Sequence, residues 1–275
     1  MKILHTSDWH LGKSIYDFSL LEDQSRFISW LLELLPREQV DAVIIAGDIY
    51  DRPVPPGAAV ALYDRFLSEA AGRLGIPVLA IAGNHDSPGR LQFGSSLYRK
   101  SGYYIVGSIG AGQEPVVLHD AIGPVRFTLV PYLHLTDVRA LLPQETVCTF
   151  DDAYRILMEQ LRTEPGVRNI AVAHGFFSAQ GSTLLTSDSE MSIGGMDYAD
   201  ISCFDGYDYV ALGHLHAPQQ AGNVIQYSGS PLKYSLSEEL QHKTVTLVEL
   251  GKPGEPVLLR EVPVPAGDAA AGHEH

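Results

Sequence analysis

The stretch DAVIIAGDIYD, residues 41–51, decides how the chain is read. Its apolar run is too short for a helix and stops at Gly47, the pattern of a strand buried on both faces. Asp48 and Asp51 follow at once, where strand gives way to turn. The same grammar recurs on either side. Residues 2–5 (KILH) read as a buried strand, and Asp8-Trp9-His10 come just after it. Residues 77–83 (PVLAIAG) read as a third strand, followed by Gly83-Asn84-His85-Asp86. Between the first two strands Phe27, Ile28, Leu31, Leu32 and Leu35 recur at helical spacing, and the helix is expected to stop near Pro36. A second helix is expected over 57–74, broken at Gly75 and Pro77. Two βαβ units and a largely parallel sheet follow from this alternation.

The second half is richer in β-structure. A hairpin is expected from strands at 116–119 and 125–130, then a helix at 151–163. Strands are expected at 169–173, 208–212, 224–228, 243–250 and 256–262. His174-Gly175 closes the first of these five, and Gly213-His214-Leu215-His216 closes the second. Asp, Asn and His therefore arrive together from five strand ends, the place where open α/β sheets build their sites. One such turn is an ordinary feature, since Gly-Asp after a strand is a common helix start. The ordered set of five is what points to chemistry.

The chain has 275 residues, 45% of them hydrophobic, enough for a full core. This composition excludes disordered, collagenous and disulfide-stapled classes. Two cysteines, Cys148 and Cys203, make no framework, and a cytoplasmic protein is expected. No apolar run approaches the about 18–20 residues that span a bilayer, so no membrane segment is expected. Asp8 interrupts the amino-terminal strand before any signal-peptide core forms. The net charge of −14 is unlike that of a protein that clamps DNA by bulk electrostatics. No G-x-x-x-x-G-K-[ST] occurs in the sequence, so ATP hydrolysis through a P-loop is excluded.

The candidate ligands mix nitrogen and oxygen and include no thiolate. That set suits Mn²⁺, Fe or Zn²⁺ in a two-metal site better than structural zinc or calcium. Two cations about 3.5–4 Å apart share a bridging carboxylate and hydroxide and stabilise in-line displacement at phosphorus. Lys13, Arg52, Arg90 and Lys233 follow motif segments closely and are candidate phosphate contacts that carry no sequence readout. Asp86 reads as a turn or cap residue and Trp9 as packing. His5, His119, His134 and His242 lie outside any motif and receive no role.

The order D-x-H, G-D-x-x-D, G-N-H-D, H and G-H-x-H resembles the calcineurin-like metallophosphoesterase superfamily. HTSDWHLGK, GDIYDRPVPP, GNHDSPGRL, SDSE with a following GG, and YVALGHLHAPQ…YSGSPLKYS look like its SbcD-type family of DNA nucleases. The resemblance covers about residues 1–250. It implies an α/β fold, a four-layer α/β/β/α sandwich, and a metal-dependent exo- and endonuclease that processes double-strand breaks. It implies that Asp8, His10, Asp48 and His216 hold one metal, and Asp48, Asn84, His174 and His214 the other, with Asp48 bridging. It makes His85 the group that protonates the departing 3′-oxygen, and the two ions Mn²⁺. Asp51 stands where some relatives carry a histidine; its role is left open, orienting a neighbouring His being one reading. DNA is the implied substrate, an SbcC-type ATPase the implied partner and a homodimer a further expectation. Residues 1–262 are expected to form the nuclease domain and 263–275 a disordered tail, without the capping and partner-docking segments of the family. The alternatives are a small-molecule phosphodiesterase or phosphatase on the same fold, and an inactive scaffold.

Overall fold

All five residues of Ala42–Ala46 are buried, and their side chains serve two different cores. Val43 and Ile45 point into one, and Ala42, Ile44 and Ala46 into another. A strand apolar on both faces needs cover on both, and that need builds the molecule outward from here. The computed structural model describes residues 1–110, 113–179, 182–190 and 198–265.

Two six-stranded sheets lie face to face. The first runs Leu258–Pro263, Thr244–Glu249, Lys2–Thr6, Ala42–Ala46, Val78–Ile81, Tyr103–Val106. The last four are mutually parallel. The second runs Gln219–Gly222, Ile225–Tyr227, Tyr209–Gly213, Arg168–His174, Pro124–Val130, Val116–His119, with a parallel centre and antiparallel edges. Ile3, Ile44, Leu79 and Ile81 of the first sheet meet Phe127, Leu129, Ile170, Val172 and Tyr209 of the second. On the outer face of the first sheet lie helices Leu21–Arg37 and Gly57–Leu67, through Phe27, Ile28, Leu31, Leu62 and Phe66. Helix Phe150–Leu161 covers the second through Ala153, Tyr154 and Leu157. Three cores between four layers give the α/β/β/α sandwich.

Local chemistry sets the element ends. Thr149 and Asp152 form a capping box, Asp152 N–H donating to Thr149 Oγ1 (3.1 Å) and Thr149 N–H to Asp152 Oδ2 (3.0 Å). Asp120 closes the hairpin by accepting from Ile122 N (2.8 Å) and Gly123 N (3.1 Å). The first helix runs to Arg37, with Pro36 accommodated in its last turn. The single helix expected over 57–74 is α-helical only to Leu67, and Ser68–Arg73 widens into a π-turn. Strands Tyr103–Val106 and Gln219–Gly222, and helices Pro88–Gln92, Ser95–Tyr98 and Leu135–Leu141, are additions to the sequence reading. Strand Leu258–Pro263 reaches one residue into the expected tail, and residues 266–275 lie outside the described residues. Among the described residues no helix is long and apolar enough to cross a membrane.

Candidate metal centre

The carboxyl ends of five strands, from both sheets, meet at one point. Asp8 and His10 follow Lys2–Thr6, Asp48 follows Ala42–Ala46, and Asn84 and His85 follow Val78–Ile81. His174 ends its own strand, and His214 and His216 follow Tyr209–Gly213. The sheets approach so closely here that two glycines are obligatory. A Cβ on Gly213 would stand 2.0 Å from the Ala46 carbonyl oxygen, and one on Gly47 would stand 2.2 Å from His174 Nδ1. The backbone is strained as well. Asp8, His10, Asp48 and His214 have φ of 53°, 43°, 50° and 108°. Such conformations cost an L-residue about 1–3 kcal/mol each and persist only where neighbours over-determine them. Here they do. Asp8 N–H donates to Gly47 O and His10 N–H to Asp48 O, both at 3.0 Å. The buried Gln24 amide donates to the carbonyls of Trp9 and His10 while its oxygen accepts from Gly12 N.

The side chains form two clusters sharing a carboxylate. His10 Nε2 faces His216 Nε2 at 3.2 Å. Asn84 Oδ1 lies 3.0 Å from His174 Nε2 and 3.2 Å from His214 Nδ1. Asp48 Oδ2 stands between, 3.6 Å from His10 Nε2 and 3.5 Å from His174 Nε2. Asp8 groups with His10 and His216 and equally with Asp48 and His174, its donor atoms within 4.8 Å of theirs in both sets. It therefore reaches toward both clusters, where the sequence reading gave it one. Asp8, His10, Asp48, His174 and His216 are all buried.

The electrostatics are set by burial and by attraction between carboxylates and imidazoles. Burial raises the Asp8 carboxyl to about 6, against the attraction of His174 and His216. Burial would also raise Asp48, but His174, with His10 and His85, carries it well below the carboxylate range. In return Asp48 outweighs the burial of His174 and lifts that imidazole to about 9. Burial holds His10 well below its ordinary value, and burial with His174 does the same to His214. Two imidazole nitrogens that face each other in a buried site cannot both accept, and His10 Nδ1 has no hydrogen-bond partner. Buried imidazole nitrogens and carboxylate oxygens converging without a thiolate fit hard-to-borderline divalent cations.

His85 is half-buried at the edge of the centre. Its backbone N–H donates to Asp48 Oδ1 (2.8 Å), and its ring Nδ1 lies 3.1 Å from the Asp51 carbonyl oxygen. Asp51 thus contacts His85 through its backbone, while its carboxylate Oδ1 takes Lys13 Nζ at 2.8 Å and lies 3.8 Å from His10 Nδ1. Lys13 is engaged there, and Lys233 donates to the Glu239 carbonyl. Arg52 and Arg90 are exposed, Arg52 with its Nε 3.5 Å from Asp51 Oδ2. Asp86 is buried and accepts from the N–H groups of Ile49, Tyr50 and Gly83 at 2.9–3.0 Å, tying two ligand loops together. Trp9 packs edge-on against Phe27, Tyr63 and Phe66. His5 is a neutral core residue, held low at about 3 by burial, bonded to Tyr209 OH and the Leu212 carbonyl.

Sequence reasoning missed the carboxylates behind His216. Glu238 Oε1 lies 2.8 Å from His216 Nδ1, and Glu190 Oε1 accepts from His216 N at 2.5 Å. Burial would raise Glu238, but His216 and Lys243 hold it well below the carboxylate range. Glu190 lies within the SDSE motif; the glycines after it, Gly194 and Gly195, lie outside the described residues. Glu238 follows YSGSPLKYS by only three residues, and that adjacency was the available signal.

With this geometry in place, the class is defined by a family match: residues 1–218 match the calcineurin-like phosphoesterases, and the chain belongs to that family. More particular relatives are two staphylococcal proteins, each named as the D subunit of the nuclease SbcCD. That of Staphylococcus saprophyticus is 34% identical over 251 residues, and that of Staphylococcus epidermidis 32%. Each alignment covers 91% of this chain and 66% of the relative, so the chain spans about two-thirds of their length. The crystal structure of TT1561 of Thermus thermophilus superposes with a TM-score of 0.53 at 14% identity. That superposition covers 94% of this chain and 98% of the other, a likeness of fold.

Proposed function

We propose that residues 1–262 are the nuclease domain of an SbcD-type protein that hydrolyses phosphodiester bonds in DNA with two divalent cations, Mn²⁺ by the family resemblance. The observation that carries this reading is the Asp48 carboxylate, within 3.6 Å of imidazole nitrogens from two clusters. Asp8, His10, Asp48 and His216 would hold one ion, and Asp48, Asn84, His174 and His214 the other. Bound there, the ions would supply a hydroxide nucleophile at neutral pH and neutralise charge on the phosphate.

The chain's own residues do the rest. His85 sits beside the ligands without being one. With Nδ1–H donated to the Asp51 carbonyl, it is the doubly protonated ring that would carry a second proton on Nε2 and pass it to the departing 3′-oxygen, leaving the neutral Nδ1–H imidazole. Tyr234 lies edge-on to both His10 and His216, with ring centroids at 5.3 and 5.6 Å, and keeps that side of the centre dry. Arg52 and Arg90 offer phosphate contacts indifferent to sequence. The staphylococcal relatives are named as parts of an SbcCD nuclease, so an SbcC-type ATPase is the partner proposed, with double-strand-break processing in the cytoplasm as the setting. Exposed Val60, Phe93, Leu97 and Tyr98 support a homodimer, in which a second copy would cover them.

The test is incubation with Mn²⁺, or with EDTA, on linear duplex DNA and on bis-p-nitrophenyl phosphate. Mn²⁺-dependent DNA degradation is expected. Dye release with the DNA intact would instead identify a small-molecule phosphodiesterase, and inactivity on both would identify a scaffold.

A further inference from the structure

The motifs SDSE (187–190) and YSGSPLKYS (227–235) contribute no ligand, yet they converge on His216. Three points of that residue are gripped by buried side chains. Its backbone N–H donates to Glu190, its ring Nδ1 faces Glu238 at 2.8 Å, and its carbonyl accepts from Lys243 Nζ at 3.0 Å. Ser187 Oγ bridges the two carboxylates, donating to Glu190 Oε1 (3.0 Å) and Glu238 Oε1 (3.3 Å).

An imidazole offers a cation one bare nitrogen, and the partner of the other nitrogen decides which one that is. An ionised carboxylate only accepts, so a Glu238 carboxylate requires His216 to carry its proton on Nδ1. Nε2 is then bare, and it is the atom that faces His10. The carboxylate has no exposure, so its charge needs a fixed partner. Lys243 supplies one at 2.7 Å and is anchored in turn by Ser230 Oγ (2.8 Å) and Gln241 Oε1 (2.7 Å). His174 is held differently, its Nδ1 lying 2.8 Å from the neutral Ala46 carbonyl. Of these two histidines, His216 is the one whose Nδ1 faces a charged group. A buried ion pair is a poor source of stability compared with apolar packing of the same volume, which argues for a role beyond holding the loop.

We infer that Glu238 is a positioning residue: it fixes His216 as the Nδ1–H tautomer and tightens the cation site that His216 serves, with Lys243 holding it in place. This rests on the reading of His216 as a ligand.

Two measurements on the full chain test it. Long-range ¹H–¹⁵N spectra of the metal-free protein report the tautomer, and an Nδ1–H, bare-Nε2 pattern is expected for His216. The opposite tautomer overturns the inference without any variant. The second is Mn²⁺ binding to the double variant Glu238→Gln/Lys243→Met, which removes both charges together. One ion is expected to weaken by about 10–100-fold while the other is unchanged. The thermal midpoint of the metal-free variant should not fall, which separates positioning from mere support. A folded variant that binds both ions as tightly as the unaltered chain overturns the inference. His216→Asn separates the two claims. If it loses no ion, the ligand reading has failed; if it loses one while the double variant loses none, only the positioning role has failed.

Discussion

His174 Nε2 lies 3.5 Å from Asp48 Oδ2, although His174 ends a strand of one sheet and Asp48 follows a strand of the other. The centre exists only when the two sheets are docked, so cation binding and folding are coupled. Mn²⁺ at 100 times its dissociation constant should stabilise the protein by about 2.7 kcal/mol per independent site. Differential scanning calorimetry with Mn²⁺ and then with EDTA checks this, and the midpoint should fall on chelation. An unchanged midpoint would mean that the convergent donors bind no ion in the folded state.

His85 contacts Asp48 through its backbone and Asp51 through its ring. His85→Asn should keep both ions and near-normal DNA affinity, yet lower turnover by about 10²–10⁴-fold, the usual worth of a positioned general acid. Single-turnover cleavage beside metal analysis distinguishes the outcomes. Loss of an ion would make His85 a ligand.

The four candidate phosphate contacts differ in how they are engaged within the fold. Lys13 is paired with Asp51 at 2.8 Å and Lys233 with the Glu239 carbonyl, while Arg52, 3.5 Å from the same Asp51, and Arg90 are exposed and available to phosphate. The slope of log affinity against log salt should therefore be shallow, about −2. Fluorescence anisotropy of a labelled duplex with the His85→Asn variant measures it. A steep slope that persists in EDTA would reveal a basic surface that these four residues do not account for.

Away from the centre, Arg168 is 2% exposed and pairs with Asp120 at 2.7–2.8 Å. Asp120→Ala leaves that guanidinium without its carboxylate and should cost about 3–5 kcal/mol. Arg168 holds the Asp120 carboxyl well below its ordinary 3.8, against a smaller opposing push from burial. A depressed carboxyl gives stability that is complete above the unfolded value and lost as pH falls below it. Urea unfolding should show the variant's deficit at pH 7 shrinking as pH is lowered below 3.8. A deficit independent of pH would mean packing, not charge.

What the sequence revealed was what is local. Ala42–Ala46 and Val78–Ile81 declare themselves because a strand buried on both faces is apolar throughout, and Asp48, Asn84 and His85 follow within three or four residues. Glu238 offered no more than its adjacency to YSGSPLKYS, because its partner His216 lies in another loop and a carboxylate in a turn looks solvated until the tertiary fold buries it. Tyr103–Val106 was missed for a related reason. Four residues are too few for periodicity, and only pairing with Val78–Ile81 makes them a strand. The π-turn at Ser68–Arg73 leaves the apolar pattern unchanged and shows only in the backbone.

Asp48 is proposed to serve two cations at once. Metal counting on purified wild-type and Asp48→Ala protein, each dialysed against Mn²⁺, tests it most directly. The wild type should carry two ions per chain and the folded variant should lose affinity at both positions together. Two ions at full occupancy in Asp48→Ala would contradict the shared carboxylate.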